Sequence, residues 1–222
     1  METMAVRGMI EAPVETCKIR KTYSWMSKIY FIGAFFEKKA RMRAIELARI
    51  KPTDKVLEVA VGIGYSLVEI LKRVDRTNTV HGVDLTPAML EKARKLAAKH
   101  GYTNFDLREA DARRLPFPDE TFDVLFNSYM LDLIPIGDLP VILKEFHRVL
   151  KKGGRLVLLN LSKKDERPIF YEKVYRRIPY LLGGCRPVLM ESFVGEVGFN
   201  EVKRKVLPLF PSLLSEIVTG VK

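Results

Sequence analysis

The chain has 222 residues, 47% of them hydrophobic and 29% charged, enough for one good-sized core or a domain with a small appendage. That balance excludes a disordered tail, a collagenous repeat and a disulfide-stapled miniprotein, and the longest apolar run, residues 29–36, falls well short of the ~20 residues of a spanning helix. The formal net charge is +11 and unevenly placed, with +8 over residues 18–51, −3 over 52–143 and +7 over 144–177. Such a field suits an anionic surface, whether nucleic acid, phospholipid headgroups or an acidic substrate, and equally a merely solvated one.

The first 50 residues read as helices laid over the end of a sheet, most clearly at 38–50, and are expected to form a helical cap of one domain whose main body is 51–222. From Lys55 onward, short β-branched runs alternate with longer helical patterns, which predicts a parallel sheet covered by helices. Strands are expected at 56–61, 79–84, 105–108, 122–127 and 155–160. Between the first two, Leu67, Ile70, Leu71 and Val74 recur at helical spacing. Thr86-Pro87 looks like an N-cap followed by proline at the first helical position, opening a helix to about His100. Residues 138–150 read as a helix stopped by Gly153-Gly154. A helical insertion is expected around 163–187, then a short helix at 191–197 and last strands near 201–207 and 214–221.

Glu58-Val59-Ala60-Val61-Gly62-Ile63-Gly64 is the most informative stretch. A buried strand ends in a carboxylate and a tight turn whose glycines allow positive φ or close approach of a ligand, and ligands of open α/β sheets bind at such strand ends. A G-x-G also serves an ordinary strand-to-helix turn. Leu67 stands where a dinucleotide fingerprint has its third glycine, and no Gly-Lys-Ser/Thr follows, so a phosphate-bearing cofactor is not favoured. Asp84, closing the second strand ahead of Leu85, can accept from both hydroxyls of a ribose; it can also serve as an acid near a helix N-terminus. Asp111 and the Ala112 N–H would together read an adenine edge. Asn127 to Met130 would line the floor of the site.

The glycine loop, the strand ending in Asp84, the run from Ala110-Asp111-Ala112-Arg113-Arg114-Leu115-Pro116-Phe117-Pro118-Asp119 to Asp123, and Phe146-His147-Arg148-Val149-Leu150-Lys151-Lys152-Gly153-Gly154 occur in register. Together they resemble a class I S-adenosylmethionine-dependent methyltransferase over roughly residues 20–160, and within that class the ubiquinone/menaquinone-biosynthesis type. The resemblance implies a Rossmann-like, doubly wound, seven-stranded, mostly parallel sheet with an antiparallel last strand, helices on both faces and an N-terminal helical cap. It implies S-adenosyl-L-methionine as cofactor. Glu58, Ala60, Gly62 and Gly64 would hold its methionine part, Asp84 and Leu85 the ribose, Asp111 and Ala112 the adenine, and Asn127 and Ser128 the amino-acid moiety. After Ser128 the chain reads Tyr-Met-Leu-Asp-Leu-Ile, where the quinone enzymes carry Gly-x-Arg-Asn, which leaves the acceptor open.

Methyl transfer needs a base only when the acceptor must first lose a proton. Of the histidines, His81 lies inside a strand, His100 ends a helix and His147 sits in a helix before the Gly-Gly turn, all structural positions; Asp132 or Tyr129 could act, but no catalytic residue is assigned and no metal ligands are. Tyr23, Trp25, Met26, Tyr30, Phe31, Phe35 and Phe36 form an aromatic cluster within the +8 stretch, and Tyr23, Tyr30 and Tyr129 are candidate acceptor contacts. An apolar lid with basic flanks suits a small-molecule or lipid-like acceptor, a quinone-like ring or a lipid headgroup amine, with peripheral contact at an anionic membrane; it also suits rings that only cover the core. An RNA methyltransferase and a non-catalytic binding protein are the alternatives, and nucleic acid is less favoured because no RNA-binding module is recognisable. The N-terminus shows no secretory pattern, and Cys17 and Cys185, far apart and in no metal spacing, fit a reducing cytoplasm. The absence of glutamine beside abundant Lys, Arg and Glu hints at a heat-adapted source.

Overall fold

The computed structural model describes residues 8–12, 30–179, 184–210 and 213–222. Helix α1 (Tyr30–Leu47) leads into β1 (Val56–Val59), α2 (Tyr65–Leu71), β2 (Val80–Asp84), α3 (Pro87–Lys99), β3 (Phe105–Glu109) and β4 (Phe122–Ser128). Two single 3-10 turns, Leu131–Leu133 and Ile136–Asp138, precede α4 (Leu139–Val149), β5 (Leu150–Ser162), α5 (Phe170–Arg177), α6 (Glu191–Glu196), β6 (Asn200–Phe210) and β7 (Leu213–Val221). The sheet runs β3-β2-β1-β4-β5-β7-β6. Strands β1 to β5 are parallel, and β7 is antiparallel to both β5 and β6, as the resemblance implies.

Successive strand residues point to opposite faces, and both faces are covered. Leu57, Val59, Leu125, Leu156 and Leu158 meet α4 and α6 through Ile142, Leu143, Phe146, Phe193 and Val194. Val56, Val80, Val124, Val157 and Ile217 meet α1, α2 and α3 through Ala44, Ile45, Leu67, Ile70, Leu90 and Ala93. These strands are buried on both sides, which is why they read as near-continuous apolar runs. The sheet order reverses between β1 and β4, where an open α/β sheet forms its ligand crevice.

Three sequence expectations shift. Strand β5 starts at Leu150 rather than 155, because Gly153, at φ 73°, donates to the Lys222 carbonyl at 2.8 Å and lets the pairing continue through the Gly-Gly pair. Among the described residues, the helix in the insertion starts at Phe170 and runs to Arg177: Asp165 folds back on the Arg167 N–H at 3.0 Å, and Pro168 follows directly. Thr86 does stand at the N-cap of α3, but its hydroxyl makes no capping bond; the Asp84 carboxylate takes the Thr86 N–H instead. Trp25, Met26 and Tyr23 lie outside the described residues, and Tyr30 is the first residue of α1.

Candidate active site

The loop after β1 departs from strand geometry at once. Ala60 takes φ 60°, Gly62 φ 56° and Gly64 φ 92°, so the backbone turns through three left-handed residues before α2. At Gly64 the reason is packing: a Cβ would lie 2.9 Å from the Ala93 Cα of α3. At Gly62 a Cβ would meet nothing within 4 Å, so the loop leaves open space there. The loop is pinned from the neighbouring strand by the Val61 N–H to Val83 carbonyl bond at 3.1 Å and the Gly62 N–H to Asp84 carboxylate bond at 2.8 Å.

A cleft partly open to solvent lies over these strand ends. Ala60, Gly62, Asp84, Leu85, Asp111, Ala112, Ser128 and Tyr129 all line it. Glu58, Gly64 and Asn127 do not; they stand behind the lining and shape it. Met130, placed at the floor of the site by the sequence, lines it, but sequence reasoning missed Met89 on α3 and Leu133, Ile134 and Ile142, which with Met130 form an apolar wall, since nothing local distinguishes a residue facing a crevice from one facing the core.

Asp84 is nearly enclosed, 8% exposed. Burial raises its pKa, while the N–H groups of Gly62 and Thr86, both at 2.8 Å, offset the effect. Each oxygen thus holds one backbone donor and keeps lone pairs for others, so the helix-terminal and ligand-facing readings coexist. Asp111 is partly exposed and held well on the ionised side by Arg113, whose Nη2 lies at 2.7 Å and whose Nη1 reaches Asp138 at 3.0 Å.

Glu58 is buried, and its Oε2 has no donor. Burial pushes its carboxyl well above the usual range; Arg41 pulls the other way, Asp84 adds to the rise, and the Ser66 hydroxyl lowers it. On β4, Asn127 donates through Nδ2 to the Val59 carbonyl at 2.9 Å, tying the two strand ends together, and its Oδ1 is also left without a donor. Two buried acceptors without donors at the switch point, beside a loop with open space, fit a ligand that brings positive charge and N–H groups. Those are the features of a sulfonium amino acid. The histidines stay structural: His81 packs edge-on against Phe122 at 5.5 Å, His147 against Phe199 at 5.0 Å, and His100 caps α3.

A family profile described as a methyltransferase domain matches residues 56–154. The demethylmenaquinone methyltransferase of Alkalihalophilus pseudofirmus is 31% identical over 169 residues, 74% of this chain and 69% of that protein. The phosphatidylethanolamine N-methyltransferase of Cereibacter sphaeroides is 37% identical over 131 residues, 58% and 62% of the two chains. Among solved structures, a Haemonchus contortus phosphoethanolamine N-methyltransferase bound to S-adenosylhomocysteine superposes with a TM-score of 0.75 at 16% identity, over 95% of this chain and 61% of that one; at that identity the likeness is one of fold. The chain belongs to the class I S-adenosylmethionine-dependent methyltransferases, and S-adenosylmethionine is its cofactor. Within that class its curated relatives include methyltransferases of quinone biosynthesis, distant at about 30% identity.

Proposed function

We propose that this methyltransferase acts on a small apolar or amphipathic acceptor, either a quinone-like ring or a lipid headgroup amine. The observation that carries the reading is the apolar wall of Met130, Leu133, Ile134 and Ile142 beyond the residues assigned to the cofactor. The demethylmenaquinone and phosphatidylethanolamine relatives support it.

In this reading Glu58 and the loop through Ala60, Gly62 and Gly64 hold the methionine part of the cofactor. Asp84 and Leu85 hold the ribose, Asp111 and Ala112 the adenine, and Asn127 and Ser128 the amino-acid end, while Tyr129 faces the acceptor. When bound, S-adenosylmethionine supplies a methyl group already activated by its sulfonium. The protein's task is then to align the acceptor and exclude water, which together supply on the order of 7–11 kcal/mol. Residues 1–50 serve as a cap of the same domain, and the acceptor reaches the site from an anionic membrane surface or from solution. No helix among the described residues is long and apolar enough to cross a membrane.

The test is a labelled-methyl assay run in parallel on a reduced, demethylated naphthoquinol in detergent, on phosphatidylethanolamine vesicles and on structured RNA. Label extracted into organic solvent from either of the first two supports the proposal. Label retained on RNA, or on none of the three, refutes it.

A further inference from the structure

Behind the apolar wall lie groups that cofactor binding leaves unused. Asp132 and Arg186 are both fully enclosed, at 0% exposure. Asp132 sits in the turn Leu131–Leu133; its Oδ2 accepts the Leu161 N–H at 3.2 Å and its Oδ1 has no donor. Arg186 commits Nη2 to the Ile134 carbonyl, while Nε and Nη1 have no acceptor. The two residues are joined through the backbone, the Arg186 N–H donating to the Asp132 carbonyl at 3.0 Å. Their side chains nonetheless leave valences unfilled, which is costly for buried charges unless something else fills them.

The arrangement is held on several sides. Tyr171 and Tyr175 of α5 donate to the carbonyls of Cys185 and Gly184 at 2.9 and 2.7 Å, and the Val188 N–H bonds the Leu161 carbonyl at 2.9 Å. The pair also adjoins the cleft. Met130 and Leu133, to either side of Asp132 in the chain, line it, as does Ile134, whose carbonyl Arg186 grips. The ionisable groups facing Asp132 are Glu37 from α1, Tyr129 just past β4, Tyr171 and Tyr175 from α5, and Arg186, with Glu11 facing Arg186. Burial, with Glu37 adding to it, raises Asp132 to about 7 against the pull of the Leu161 N–H and Arg186. A carboxyl so poised exchanges protons near neutrality.

Building on the methyltransferase function above, we propose that Arg186 and Asp132 are the acceptor-recognition pair: Arg186 holds an anionic oxygen of the acceptor, and Asp132 receives the proton that the acceptor gives up. The acceptor's electron pair forms the bond to the methyl carbon, and the carbon–sulfur bond breaks with its pair passing to sulfur. On a phenolic ring the hydroxyl proton goes to Asp132, the ortho carbon is methylated, and that carbon's hydrogen then passes as a proton to water at the open side of the cleft while Asp132 returns one to the oxygen. On an ethanolamine headgroup the ammonium gives its proton to Asp132, and Arg186 holds the phosphate. The shared chemistry is an oxyanion beside a group that loses a proton.

The experiment uses the full chain and the variants Arg186→Met and Asp132→Asn, first confirming by calorimetry that S-adenosylhomocysteine affinity is unchanged. Where Arg186→Met does not fold, Arg186→Lys takes its place. Binding of 2-hydroxy-1,4-naphthoquinone and of phosphoethanolamine then separates the two sources of the oxyanion. Arg186→Met is expected to weaken whichever probe the wild type binds by about tenfold or more. Asp132→Asn is expected to slow methyl transfer by about 10²-fold or more and to abolish the rise of kcat through pH 7, a readout that a merely structural role would not move. Probe binding and pH profiles unchanged in both variants would overturn the pair. A wild type that methylates neither acceptor class would overturn the proposed function instead, and the probe-binding arm would still decide the pair: loss in Arg186→Met supports it, and equal or no binding sinks it.

Discussion

Gly62 and Gly64 stand two residues apart in one loop, both left-handed, yet substituting them should fail in different ways. A Cβ on Gly64 would lie 2.9 Å from the Cα and 3.0 Å from the Cβ of Ala93, at a contact between α2 and α3 with no flexible side chain to yield. The left-handed backbone costs about 1–2 kcal/mol, and overpacking a tight contact adds about 1–3 kcal/mol, so Gly64→Ala should cost roughly 2–5 kcal/mol. In a chain of this size each kcal/mol moves Tm by about 2–4 °C, giving a fall of roughly 4–20 °C. At Gly62 the space is open, so Gly62→Val pays only the backbone cost, a fall of roughly 2–8 °C. It should instead weaken S-adenosylhomocysteine binding by about tenfold or more, since Gly62 lines the cleft. Thermal melts with and without S-adenosylhomocysteine, together with calorimetric titration, separate the two effects. Wild-type melting of Gly64→Ala, or wild-type affinity of Gly62→Val, would refute the division of labour.

Asp84→Ala should leave a folded protein whose S-adenosylhomocysteine affinity falls by about 10–100-fold, because both the ribose acceptor and the anchor of the Gly62 N–H are lost; unchanged affinity by calorimetry would remove the ribose assignment. Lys163 and Glu172 form a buried ion pair at 2.7 Å, so Lys163→Met should cost about 3–5 kcal/mol by leaving the Glu172 charge uncompensated, whereas Lys163→Met/Glu172→Gln should recover most of it; denaturant unfolding of both variants gives the comparison. For Glu58, burial raises the folded-state pKa above the unfolded value. The folded state therefore holds the extra proton, and stability is lost as pH rises from about 4.5 through the raised folded-state pKa. Glu58→Gln should accordingly raise the Tm of the ligand-free protein by an amount that grows with pH above that point, while weakening cofactor binding; a Tm gain that is flat with pH would contradict the desolvation argument.

The centre of the sheet is legible in the sequence because its strands are buried on both faces and carry their own apolar runs, as in Val56-Leu57 of β1 and Val124-Leu125-Phe126 of β4. The strand-end residues are legible for a related reason: Asp84 closes β2, and Gly62 and Asp111 lie just past β1 and β3, at the edge where ligands of open α/β sheets bind. What local patterning hides is whatever distant pairing decides. Gly153-Gly154 reads as a stop until the Lys222 backbone arrives to continue the strand. Asp132 and Arg186 are 54 residues apart, and they meet because the segment around Val188 runs parallel to the end of β5 at Ser162. No periodicity encodes that bridge.

The charge balance makes the same point from the other side. The excess of positive charge suggests an anionic partner, yet many of the cations are committed within the molecule. Arg148 bonds Glu145 and Asp119 together with the carbonyls of Phe117 and Leu115, Lys151 pairs with Asp123, Arg155 with Asp54 and Arg204 with Glu216. The partly exposed pairs among them contribute little apiece, but together with the buried Glu216 they fasten the loop before β4 and the outer strands in place. Net charge is therefore a poor guide to where this protein binds anything. Arg186 carries the same charge into the interior and leaves two nitrogens unfilled. Where those cations find carboxylate partners and a buried one leaves two nitrogens without an acceptor, the missing partner belongs to the ligand, and the position next to the cofactor cleft says which ligand to look for.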